Sequence, residues 1–393
     1  MKRIRFDDVV KRANTKEDRF HTSRLYYVGG EHIDSEDPVV HNRGLIAGST
    51  IGPMFYFGFK KGQILFVSRN PHLRKCAQVD FNGICSEKTF VLETKDENVL
   101  LQKYLVWVMQ TNDFWDYCEE NKSGSINFFI NWSTLADYEF DLPDIEEQKR
   151  IADLLWAAYD LKESYKRVLT ASDELAKSRF VEMFGDQKTN PYGFPTATLG
   201  ETCTFYPGTG FPTKYQGNSS GMYPFFKVGD ISRNILAGNT RLVDAENYIN
   251  ADVVNNINGV IIPSGTVVFA KIGETIRLNR KAITTQNCLV DNNVMGIKPK
   301  GEELTNEYFL QFMIGLNMNE FAGATALPSI RKSSLEKVQI LVPDMVIQMR
   351  YAEFAHRLGE SKAALQKCIK SLDDTIKTFL NKNISEEEEG NNV

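Results

Sequence analysis

The sequence is poor in the residues that build metal sites and disulfide frameworks. Its 393 residues include six cysteines and five histidines. The cysteines lie far apart and form no Cys-x-x-Cys pair, so neither structural zinc nor a disulfide framework is expected. The histidines show no metal-ligand spacing. Scattered reduced thiols are typical of a cytoplasmic protein, and this is the localisation that we expect.

Long apolar runs and an excess of positive charge are also missing. No run approaches the roughly 20 residues that a membrane-spanning helix needs, and the first residues have no secretory signal pattern. The formal net charge is −5, and the sequence pI is about 5.7. The chain as a whole therefore has no basic footprint for nucleic acid, and any such binding must depend on local patches or on a partner's charge.

Motifs for methyl transfer, phosphate binding and hydrolysis are incomplete. Asn70-Pro71-His72-Leu73 lacks the second proline of the Asp/Asn-Pro-Pro-Tyr/Phe loop of amino-methyltransferases, so a turn is the simpler interpretation. The loop Gly208–Lys214 lacks the Gly-x4-Gly-Lys-Ser/Thr spacing of a phosphate-binding loop. Asp144, Glu147 and Lys149 imitate a nuclease core, but a second copy of this stretch, described next, keeps neither Glu147 nor Lys149. We therefore predict that the chain is not an enzyme.

What the sequence does contain is an internal repeat with an offset of 200 residues. Between positions 130 and 152, eight of 23 residues recur without a gap, where ordinary composition gives roughly one or two. The recurring residues are Ile130, Ser133, Leu135, Pro143, Asp144, Gln148, Arg150 and Ala152, which return as Ile330, Ser333, Leu335, Pro343, Asp344, Gln348, Arg350 and Ala352. A period this long predicts two copies of one module rather than a solenoid.

A long helix is predicted after each Pro-Asp pair, at 143–186 and at 343–384. Asp is a good N-cap, and Glu147 completes a capping box in the first copy. Apolar residues then recur at heptad spacing, which predicts two coiled-coil helices of roughly 40 residues or about 60 Å each. The predicted seam residues are Leu154, Leu161, Val168 and Leu175 with Ile151, Ala158 and Tyr165, and Leu358, Leu365, Leu372 and Phe379 with Ile369 and Ile376. The alternative is that each helix is buried in an ordinary core.

An α+β block is predicted before each helix, at 1–142 and at 187–342. Aromatic and β-branched runs beside glycines indicate strands such as Gln63–Val67 and Thr89–Leu92. The segment Val99–Tyr117 has one apolar face, which is typical of a helix. The same succession of strand, loop and helix is predicted in both blocks, which therefore share a plan and differ in their loops.

A polar, basic loop follows a predicted strand in each block. It covers 68–75 in the first block and 271–281 in the second. A small turn at 122–125 comes later in the first block, and 322–325 takes its place in the second. The acidic tail, 385–393, is predicted to be disordered because it has too little apolar surface to bury.

Two divergent α+β blocks that alternate with two similar long helices resemble the DNA-specificity subunit of type I restriction-modification enzymes. The residues that carry the resemblance are Leu142–Ala152, its copy Val342–Ala352, and Phe180–Asp186 at the end of the first helix. The Pro-x-x-x-x-Gln-x-x-Ile/Tyr-Ala pattern is moderately specific alone and strong when it occurs twice before heptad helices. The second copy departs from the first because it lacks the pair Glu146 and Glu147.

The resemblance implies two target-recognition domains held apart by an antiparallel coiled coil of the two long helices. Each domain is expected to read one half of a split, asymmetric target in double-stranded DNA. The helices are expected to act as a ruler and to dock two modification subunits, which bind S-adenosylmethionine and methylate adenine. A restriction subunit, which uses ATP and Mg, can join such complexes. The resemblance implies that this chain itself is non-catalytic and binds no cofactor or metal.

The candidate DNA-binding residues are polar and basic side chains of the two loops and the nearby turns, because such groups read base edges and contact phosphates. The loop candidates are Arg69, Asn70, His72, Arg74 and Lys75 in the first block and Lys271, Thr275, Arg277, Arg280 and Lys281 in the second, with Lys122, Ser125, Thr325, Arg331 and Lys332 as secondary candidates. For each of them, a solvated basic or polar side chain is the alternative. The subunit-interface candidates, at the two helix starts, are Asp144, Glu147, Gln148, Arg150, Asp344, Gln348 and Arg350.

Two other function classes are compatible with these residues. One is a specificity module of a fused or stand-alone methyltransferase or nuclease, against which the incomplete motifs count. The other is a protein-binding scaffold without a role on DNA. Its coiled coil would look the same, but its basic loops would have no purpose.

Overall fold

The computed structural model describes residues 2–323 and 327–384, and its contacts divide the chain into two units. Unit 1 contains Met1–Ser164 and Ile369–Val393, and unit 2 contains Tyr165–Cys368. Each unit therefore joins one globular block to parts of both long helices. The predicted acidic tail lies outside the described residues. Across the part of the chain that is described, no helix has both the length and the apolar character needed to cross a membrane.

Unit 1 alternates short strands and helices before its long helix begins. Its strands are β1 (Lys2–Arg5), β2 (Val10–Arg12), β3 (Tyr26–Val28), β4 (Gly44–Leu45), β5 (Phe55–Phe59), β6 (Ile64–Val67), β7 (Cys76–Gln78), β8 (Gly83–Ser86), β9 (Thr89–Thr94) and β10 (Glu139–Leu142). Its helices are α1 (Phe6–Val9), α2 (Gln102–Val108), α3 (Asn112–Glu120), α4 (Trp132–Ala136) and the first part of α5 (Ile145–Phe184). Aromatic and β-branched residues favour the strands because their side chains pack well on a pleated surface.

The strands of unit 1 are paired so that the two ends of the block meet. One sheet has the order β2-β9-β6-β7 with antiparallel neighbours. Another has the order β4-β3-β8-β5, in which β3 and β8 are parallel. Strand β1 pairs antiparallel with β10, and Lys2 lies opposite Leu142. Because Leu142 leads directly into Pro143 and α5, this pair fixes the point at which the long helix leaves the block.

Unit 2 contains a comparable set of elements. Its strands are β11 (Thr196–Thr198), β12 (Cys203–Pro207), β13 (Tyr223–Phe226), β14 (Arg241–Leu242), β15 (Tyr248–Ile249), β16 (Val267–Ala270), β17 (Lys281–Thr284), β18 (Leu289–Val290), β19 (Val294–Pro299) and β20 (Gln339–Leu341). Its helices are the second part of α5, α6 (Leu199–Thr202), α7 (Val228–Leu236), α8 (Ala251–Asn256), α9 (Asn306–Gly315), α10 (Lys332–Leu335) and most of α11 (Met345–Asn383).

The strand orders of the two units correspond. The order β2-β9-β6-β7 in unit 1 is matched in unit 2 by β12-β19-β16-β17, to which β14 is added. The parallel pair β3–β8 is matched by the parallel pair β13–β18. The closing antiparallel pair is β1–β10 in one unit and β11–β20 in the other. The predicted mixture of helix and sheet is thus confirmed in both blocks.

One predicted helix is two helices in the structure. The segment Val99–Tyr117 contains α2 and most of α3, with a break between Met109 and Thr111. The hydroxyl of Thr111 accepts a hydrogen bond from the backbone N–H of Phe114 at 3.3 Å and so caps α3. Apolar periodicity gave no sign of the break because both helices bury their side chains.

The bounds of the long helices follow local signals. Helix α5 begins at Ile145 and α11 at Met345, close to the predicted segments. The Oδ1 atom of Asp144 accepts a hydrogen bond from the N–H of Glu147 at 2.9 Å, which confirms the predicted N-cap. Gly185 follows α5 with a φ of 72°, a left-handed conformation that glycine adopts without steric cost.

In unit 1, the first part of α5 packs beside the last part of α11. Ile151, Leu155 and Tyr159 share a core with Ile376 and Leu380. An ion pair of 2.9 Å joins Lys162 Nζ on α5 to Asp373 Oδ1 on α11. Within this unit, therefore, the start of one long helix contacts the end of the other.

In unit 2, the last part of α5 packs beside the first part of α11. The rings of Phe180 and Phe184 lie 5.4 Å and 5.6 Å from that of Tyr351, measured between centroids. Lys362 Nζ on α11 pairs with Asp173 Oδ1 on α5 at 2.5 Å. The end of one helix thus meets the start of the other within this unit as well.

Four of the seven predicted seam residues of α5 are exposed, so the prediction is wrong for these four. Leu154, Leu161, Val168 and Leu175 are between 43% and 50% exposed, whereas Leu155 is 2% and Tyr159 3% exposed. The buried positions in the first part of α5 follow one another at intervals of four residues because this part packs against its block as well as against α11. A step of one residue turns the helix by about 100°, so Leu154 points away from the face that buries Leu155.

Candidate nucleic-acid interface

In unit 1, backbone hydrogen bonds join the predicted basic loop to the segment that follows the 122–125 turn. The N–H of Asn70 donates to the carbonyl of Phe128 at 2.8 Å, and the N–H of Ile130 donates to the carbonyl of Ser68 at 2.8 Å. Arg69 and Phe129 form an antiparallel bridge between them. Two segments that the sequence placed far apart therefore form one surface.

Unit 2 joins its corresponding segments in the same way. The N–H of Gly273 donates to the carbonyl of Pro328 at 2.8 Å, and the N–H of Ile330 donates to the carbonyl of Lys271 at 2.9 Å. Ile272 and Ser329 form the antiparallel bridge here. The secondary candidate Thr325 belongs to this segment but lies outside the described residues.

Left-handed residues shape both loops. Asn70 and Arg74 have φ values of 51° and 48° in unit 1, and Gly273 and Asn279 have values of 87° and 51° in unit 2. Asn and Gly tolerate this region, whereas an arginine there is strained and needs other contacts to hold it. Each loop therefore has a defined backbone that can present its side chains in a fixed geometry.

The exposed candidates of unit 1 are Arg69, His72 and Ser125. Asn70 is half-buried within the joined segments. Lys122 is also half-buried, and its Nζ pairs with Glu119 at 2.6 Å and lies 4.6 Å from the ring centre of Phe128. These side chains remain candidates for DNA contact, with Arg69 the most accessible strong cation of the loop.

Arg74 and Lys75 have partners inside unit 1. Arg74 Nη1 donates to Glu36 Oε1 and to Asn112 Oδ1, both at 2.9 Å. Lys75 Nζ donates to the carbonyl of Gly30 at 2.5 Å. The contacts of Arg74 account for its left-handed backbone, because they hold the strained residue in place. Both side chains are therefore better suited to fixing the loop than to reading bases.

In unit 2, the candidates differ in exposure. Arg277 is exposed and pairs with Glu274 at 3.1 Å, and Arg280 is half-buried. Lys271 and Thr275 are half-buried, and Thr275 Oγ1 donates to the carbonyl of Ile272 at 3.4 Å. Arg277 is the counterpart of Arg69 as an accessible cation on the loop.

Two secondary candidates of unit 2 lie at the start of α10. Arg331 and Lys332 are both exposed. Lys332 Nζ pairs with Glu336 Oε1 at 3.4 Å. Because Ile330 is hydrogen-bonded to the basic loop, these two side chains follow directly on the joined segments.

The choice of Lys281 as a DNA contact is wrong. This residue is 2% exposed on β17, and its Nζ donates to Asn279 Oδ1 at 2.8 Å and to the carbonyl of Leu316 at 2.6 Å. Burial lowers the pKa of Lys281 to about 8. The sequence could not show this, because a lysine at the start of a strand looks the same whether it faces solvent or a carbonyl group.

A cavity that the sequence did not predict lies beside the joined segments of unit 1. Its volume is about 490 Å³, and it is lined by Arg12, Arg69, Lys88, Asn131 and Trp132, among others. The guanidinium of Arg12 lies 4.4 Å from the ring centre of Phe90, and burial lowers its pKa. Asn131 could have been found from the repeat, since its counterpart is the candidate Arg331. Arg12 gave no such signal, because only the pairing of β2 with β9 brings it to this place.

At the starts of the long helices, the two repeated glutamines are buried and are not surface contacts. Gln148 donates through Nε2 to the carbonyls of Val99 and Pro143, both at 2.9 Å, and accepts from the N–H of Leu101 at 3.0 Å. Both Gln148 and Gln348 are 0% exposed. The assignment of Gln148 to a subunit interface is therefore wrong, because all the hydrogen bonds of its amide hold the helix to its block.

Gln348 makes the same set of contacts in unit 2. Its Nε2 donates to the carbonyls of Glu303 and Pro343 at 2.9 Å and 2.7 Å, and its Oε1 accepts from the N–H of Thr305 at 2.9 Å. The interface assignment of Gln348 is wrong for the same reason. The repeat of this residue thus reflects a structural need in each module.

The remaining interface candidates are accessible. Asp144, Arg150, Asp344 and Arg350 are exposed and Glu147 is half-buried. Arg150 pairs with Glu147 at 2.5 Å, and its guanidinium lowers the pKa of that carboxyl. These five residues stay predictions as contacts to a partner.

The glycine-rich loop after β12 is explained by packing. A Cβ atom on Gly208 would lie 1.8 Å from the carbonyl oxygen of Asp291, so no other residue fits there. Thr209 Oγ1 accepts from the N–H of Val260 at 3.0 Å. The backbone of this loop is therefore fixed at Gly208 by its packing against Asp291.

Comparison with known proteins points to one family. A family model described as the type I restriction modification DNA specificity domain matches residues 191–372. Over 331 residues, the chain is 22% identical to the type I restriction enzyme MjaIX specificity subunit of Methanocaldococcus jannaschii, covering 79% of this chain and 74% of that protein. It is also 22% identical over 190 residues to the type I restriction enzyme EcoDI specificity subunit of Escherichia coli, covering 47% and 42%.

Two solved structures are similar in fold over nearly the whole chain. The S subunit of a type I restriction-modification system from M. genitalium has a TM-score of 0.58 and 15% identity, covering 98% of this chain and 96% of that one. A chain from a study of complex assembly and conformational transition of the type I R-M system has a TM-score of 0.54 and 16% identity, covering 97% of each chain. Residues 191–372 thus match the type I restriction modification DNA specificity domain, and the chain is similar in sequence to two type I specificity subunits and in fold to an S subunit of a type I system.

Proposed function

We propose that this chain is the non-catalytic, sequence-specific DNA-binding subunit of a type I restriction-modification complex. The observation that carries the proposal is the surface that recurs in both units, where a basic loop is hydrogen-bonded to a second segment. Each surface presents an accessible arginine, Arg69 in unit 1 and Arg277 in unit 2. Polar and basic side chains in a fixed geometry are what direct readout of base edges requires.

The two surfaces have different side chains, so we propose that they read different sequences. The residues 68–75 and 271–281 share a position in their modules but few residue types. Different base-contacting side chains at the two positions imply a target that is split and asymmetric. A palindrome would instead be expected if two identical surfaces met the duplex.

The long helices are proposed to pair as an antiparallel coiled coil that relates two copies of one module. The two ion pairs between them support this, because Lys162 with Asp373 and Lys362 with Asp173 are the same pair exchanged by the 200-residue offset. The glutamines Gln148 and Gln348 likewise make the same contacts in both modules. An internal two-fold repeat of antiparallel helices would produce both the exchanged ion pairs and the matching glutamine contacts.

The exposed apolar residues of the helices are proposed to dock two modification subunits. Leu154 and Leu161 are exposed in unit 1, and Val168 and Leu175 are exposed in unit 2. Seven-residue spacing suits the seam of a partner helix. Val346, near the start of α11, is a further exposed apolar residue of unit 2.

The chemistry of the complex is assigned to those partners. We propose that the modification subunits bind S-adenosylmethionine and methylate adenine, which must be flipped out of the duplex into the partner's pocket. ATP and Mg would belong to a restriction subunit where one is present. Asp144 and Glu147, which imitate a nuclease core, cap α5 and pair with Arg150 respectively.

The direct test is a gel shift and a selection on randomised duplexes, with the chain alone and with its modification subunits. The assembled complex is expected to recover a split, asymmetric target. Arg69→Ala and Arg277→Ala are expected to weaken binding, whereas Lys188→Ala, an exposed lysine outside both loops, should leave it unchanged. Equal binding by all three variants would contradict the proposed surfaces.

The same preparations separate the two alternatives. Methyl transfer or cleavage by the isolated chain with cofactor would favour a stand-alone enzyme. Assembly with the partner subunits but no DNA binding in any combination would favour a scaffold. Comparison of methylated sites in cells with and without the gene would give the target directly.

A further inference from the structure

The cavity beside the joined segments of unit 1 brings a cation and aromatic rings together. Arg12 reaches it from β2, Phe90 from β9 and Trp132 from α4. The rings of Phe90 and Trp132 meet edge to face, with 6.2 Å between their centres. Because these three residues come from separate elements, the composition of the basic loop alone does not reveal this place.

Arg12 is a half-buried cation whose neighbours are aromatic rings rather than anions. Its guanidinium lies 4.4 Å from the ring centre of Phe90 and 5.2 Å from that of Phe57. In the part of the chain that the structure describes, no carboxylate or carbonyl oxygen accepts a hydrogen bond from this guanidinium. Burial lowers the pKa of Arg12, because removal from water disfavours the charged form. Its N–H groups are therefore available to an anionic ligand, which would offset the cost of burying the cation.

The other charges of the lining also favour an anion. Arg69 and Lys88 are exposed cations on the same cavity, and Glu87 is the one carboxylate among its described lining residues. Lys88 Nζ pairs with Glu87 Oε1 at 2.7 Å and lowers the pKa of that carboxyl. Three cations thus face one carboxylate that Lys88 already neutralises, which leaves Arg12 and Arg69 in excess.

Unit 2 has a cation and an aromatic ring at the corresponding place, with their positions exchanged. The strand registers put Phe205 where unit 1 has Arg12, since each begins a ladder across three matching strands, Arg12–Leu92–Ile64 and Phe205–Ile297–Val267. Lys332 is the counterpart of Trp132 by the offset of 200 residues, and its Nζ lies 5.7 Å from the ring centre of Phe205. Both residues have changed, yet the pairing of a cation with a ring is present in both units, which indicates a shared role.

A phosphodiester is the anion that fits these donors. The planar guanidinium of an arginine binds two phosphate oxygens at once, and rings against its face leave the N–H groups at its edge free. An uncharged base edge also accepts hydrogen bonds, but it does not offset a desolvated positive charge. Phosphate contacts fix the register of a protein on the duplex, while other side chains read the bases.

We propose that Arg12 binds a phosphate of the DNA backbone in this cavity, and that Lys332 does so at the corresponding place in unit 2. This role rests on the proposed DNA-binding function and separates two tasks within each surface. Arg12 and Lys332 set the register on the duplex, and Arg69 and Arg277 are left for contacts to base edges.

The test is the salt dependence of DNA binding by the full chain assembled with its modification subunits. For Arg12→Met, affinity for the target duplex and for an unrelated duplex should fall by the same factor, and the slope of log K against log salt should decrease by about 0.9. Over a fourfold rise in salt, the parent complex should then lose roughly three to four times more affinity than the variant. Lys11→Met is the matched control, because Lys11 precedes Arg12 on β2, points to the other face of the sheet and pairs with Glu93 at 3.2 Å.

Two further variants separate the charge of Arg12 from its packing. Arg12→Lys keeps a cation in the cavity and should keep most of the salt slope, although it packs differently against the rings. Lys332→Met changes an exposed residue, so it tests the same role in unit 2 with little effect on folding. Its slope should fall as that of Arg12→Met does, whereas Lys188→Met, at an exposed position outside both loops, should leave the slope unchanged.

The possible outcomes distinguish this role from the proposed function. An unchanged slope in a folded Arg12→Met complex, or a changed preference at one base position in selection on randomised duplexes, would overturn the phosphate contact while DNA binding by the parent complex upholds the function. If Arg12→Met does not fold, the slopes of Arg12→Lys and Lys332→Met decide. Absence of DNA binding by the parent complex would overturn both the function and the phosphate contact.

Discussion

Gln148 and Gln348 connect the repeat in the sequence to the fold of each module. Each side chain is buried and bonds three backbone groups, one of them the carbonyl of the proline that precedes its helix. An amide supplies both donors and an acceptor, so one residue can satisfy groups that would otherwise be buried without partners. The direction in which each long helix leaves its block therefore depends on one side chain.

We predict that Gln148→Ala lowers the free energy of unfolding by about 1–3 kcal/mol for each buried backbone group left without a partner. Gln348→Ala should do the same in unit 2. Chemical unfolding in urea measures the effect, and Lys149→Ala, at the exposed next position, is the control. If Gln148→Ala and Lys149→Ala were equally stable, Gln148 would not stabilise the attachment of α5 to its block.

A second residue-scale prediction concerns Lys281, whose pKa is lowered to about 8 from 10.5 by burial. Above pH 8 the unfolded chain binds more protons at this residue than the folded chain, so this contribution to stability rises with pH until about 10.5. The slope is about 1.4 kcal/mol per pH unit in that window. Unfolding in urea across pH 7–10 should show this gain relative to Lys281→Met, which cannot titrate.

The quantity to compare is the difference in free energy of unfolding between the parent chain and Lys281→Met, because the buried cysteines change the stability with pH in the opposite direction. Burial raises the pKa of Cys85 and of Cys288 to about 12, so stability is lost as the unfolded thiols ionise above about pH 8.5. Both proteins share this loss. A pH dependence of Lys281→Met identical to that of the parent chain would show that the ammonium is not desolvated.

At the scale of elements, the sequence predicts the structure correctly where a local signal has one physical meaning. Asp144 after Pro143 predicts a helix start, and the structure has the cap. Prediction from the sequence failed where a tertiary contact decided the bounds of a helix or the burial of a side chain. Thr111 divides one apolar run into two helices, and Leu154 is exposed although its heptad spacing resembles a seam. Periodicity shows which residues share a face, and what covers that face depends on residues far along the chain.

The exposed and buried faces of the helices give an element-scale prediction. Leu161→Glu together with Val168→Glu places charges on exposed positions, so the melting temperature of the chain alone should change little. Leu155→Glu buries a charge without a partner in the core of unit 1 and should cost several kcal/mol. Thermal unfolding distinguishes the two variants.

Assembly gives the complementary readout. If the exposed apolar residues dock the modification subunits, the Leu161→Glu and Val168→Glu variant should lose partner binding in size-exclusion chromatography while it remains folded. Lys166→Glu, a substitution at an exposed polar position of α5, is the control. Normal assembly of the double variant would show that the modification subunits dock on a different surface.

At the scale of the molecule, the repeat could be read from the sequence because the helix starts are under the same constraint in both modules. The candidate interface could be predicted only in part. The basic loops were found by composition, but their joining to the segments 128–130 and 328–330 depends on hydrogen bonds between backbone groups, which carry no residue signature. For the same reason the sequence could not separate Arg69, which is exposed, from Arg74, which is paired with Glu36, or from Lys281, which is buried.

The final prediction concerns the division of the target between the two units. Arg69→Ala with His72→Ala should change binding only at the half-site read by unit 1, and Arg277→Ala with Arg280→Ala only at the other. A residue that reads a base should alter preference at one position by about 1–3 kcal/mol, whereas a phosphate contact should weaken all sequences alike and lower the salt slope by about one. Selection on randomised duplexes with the assembled complex measures both effects at several salt concentrations. Since the two loops belong to separate units, damage by both double variants to the same half-site, or recovery of one continuous palindrome, would be incompatible with two independent readers.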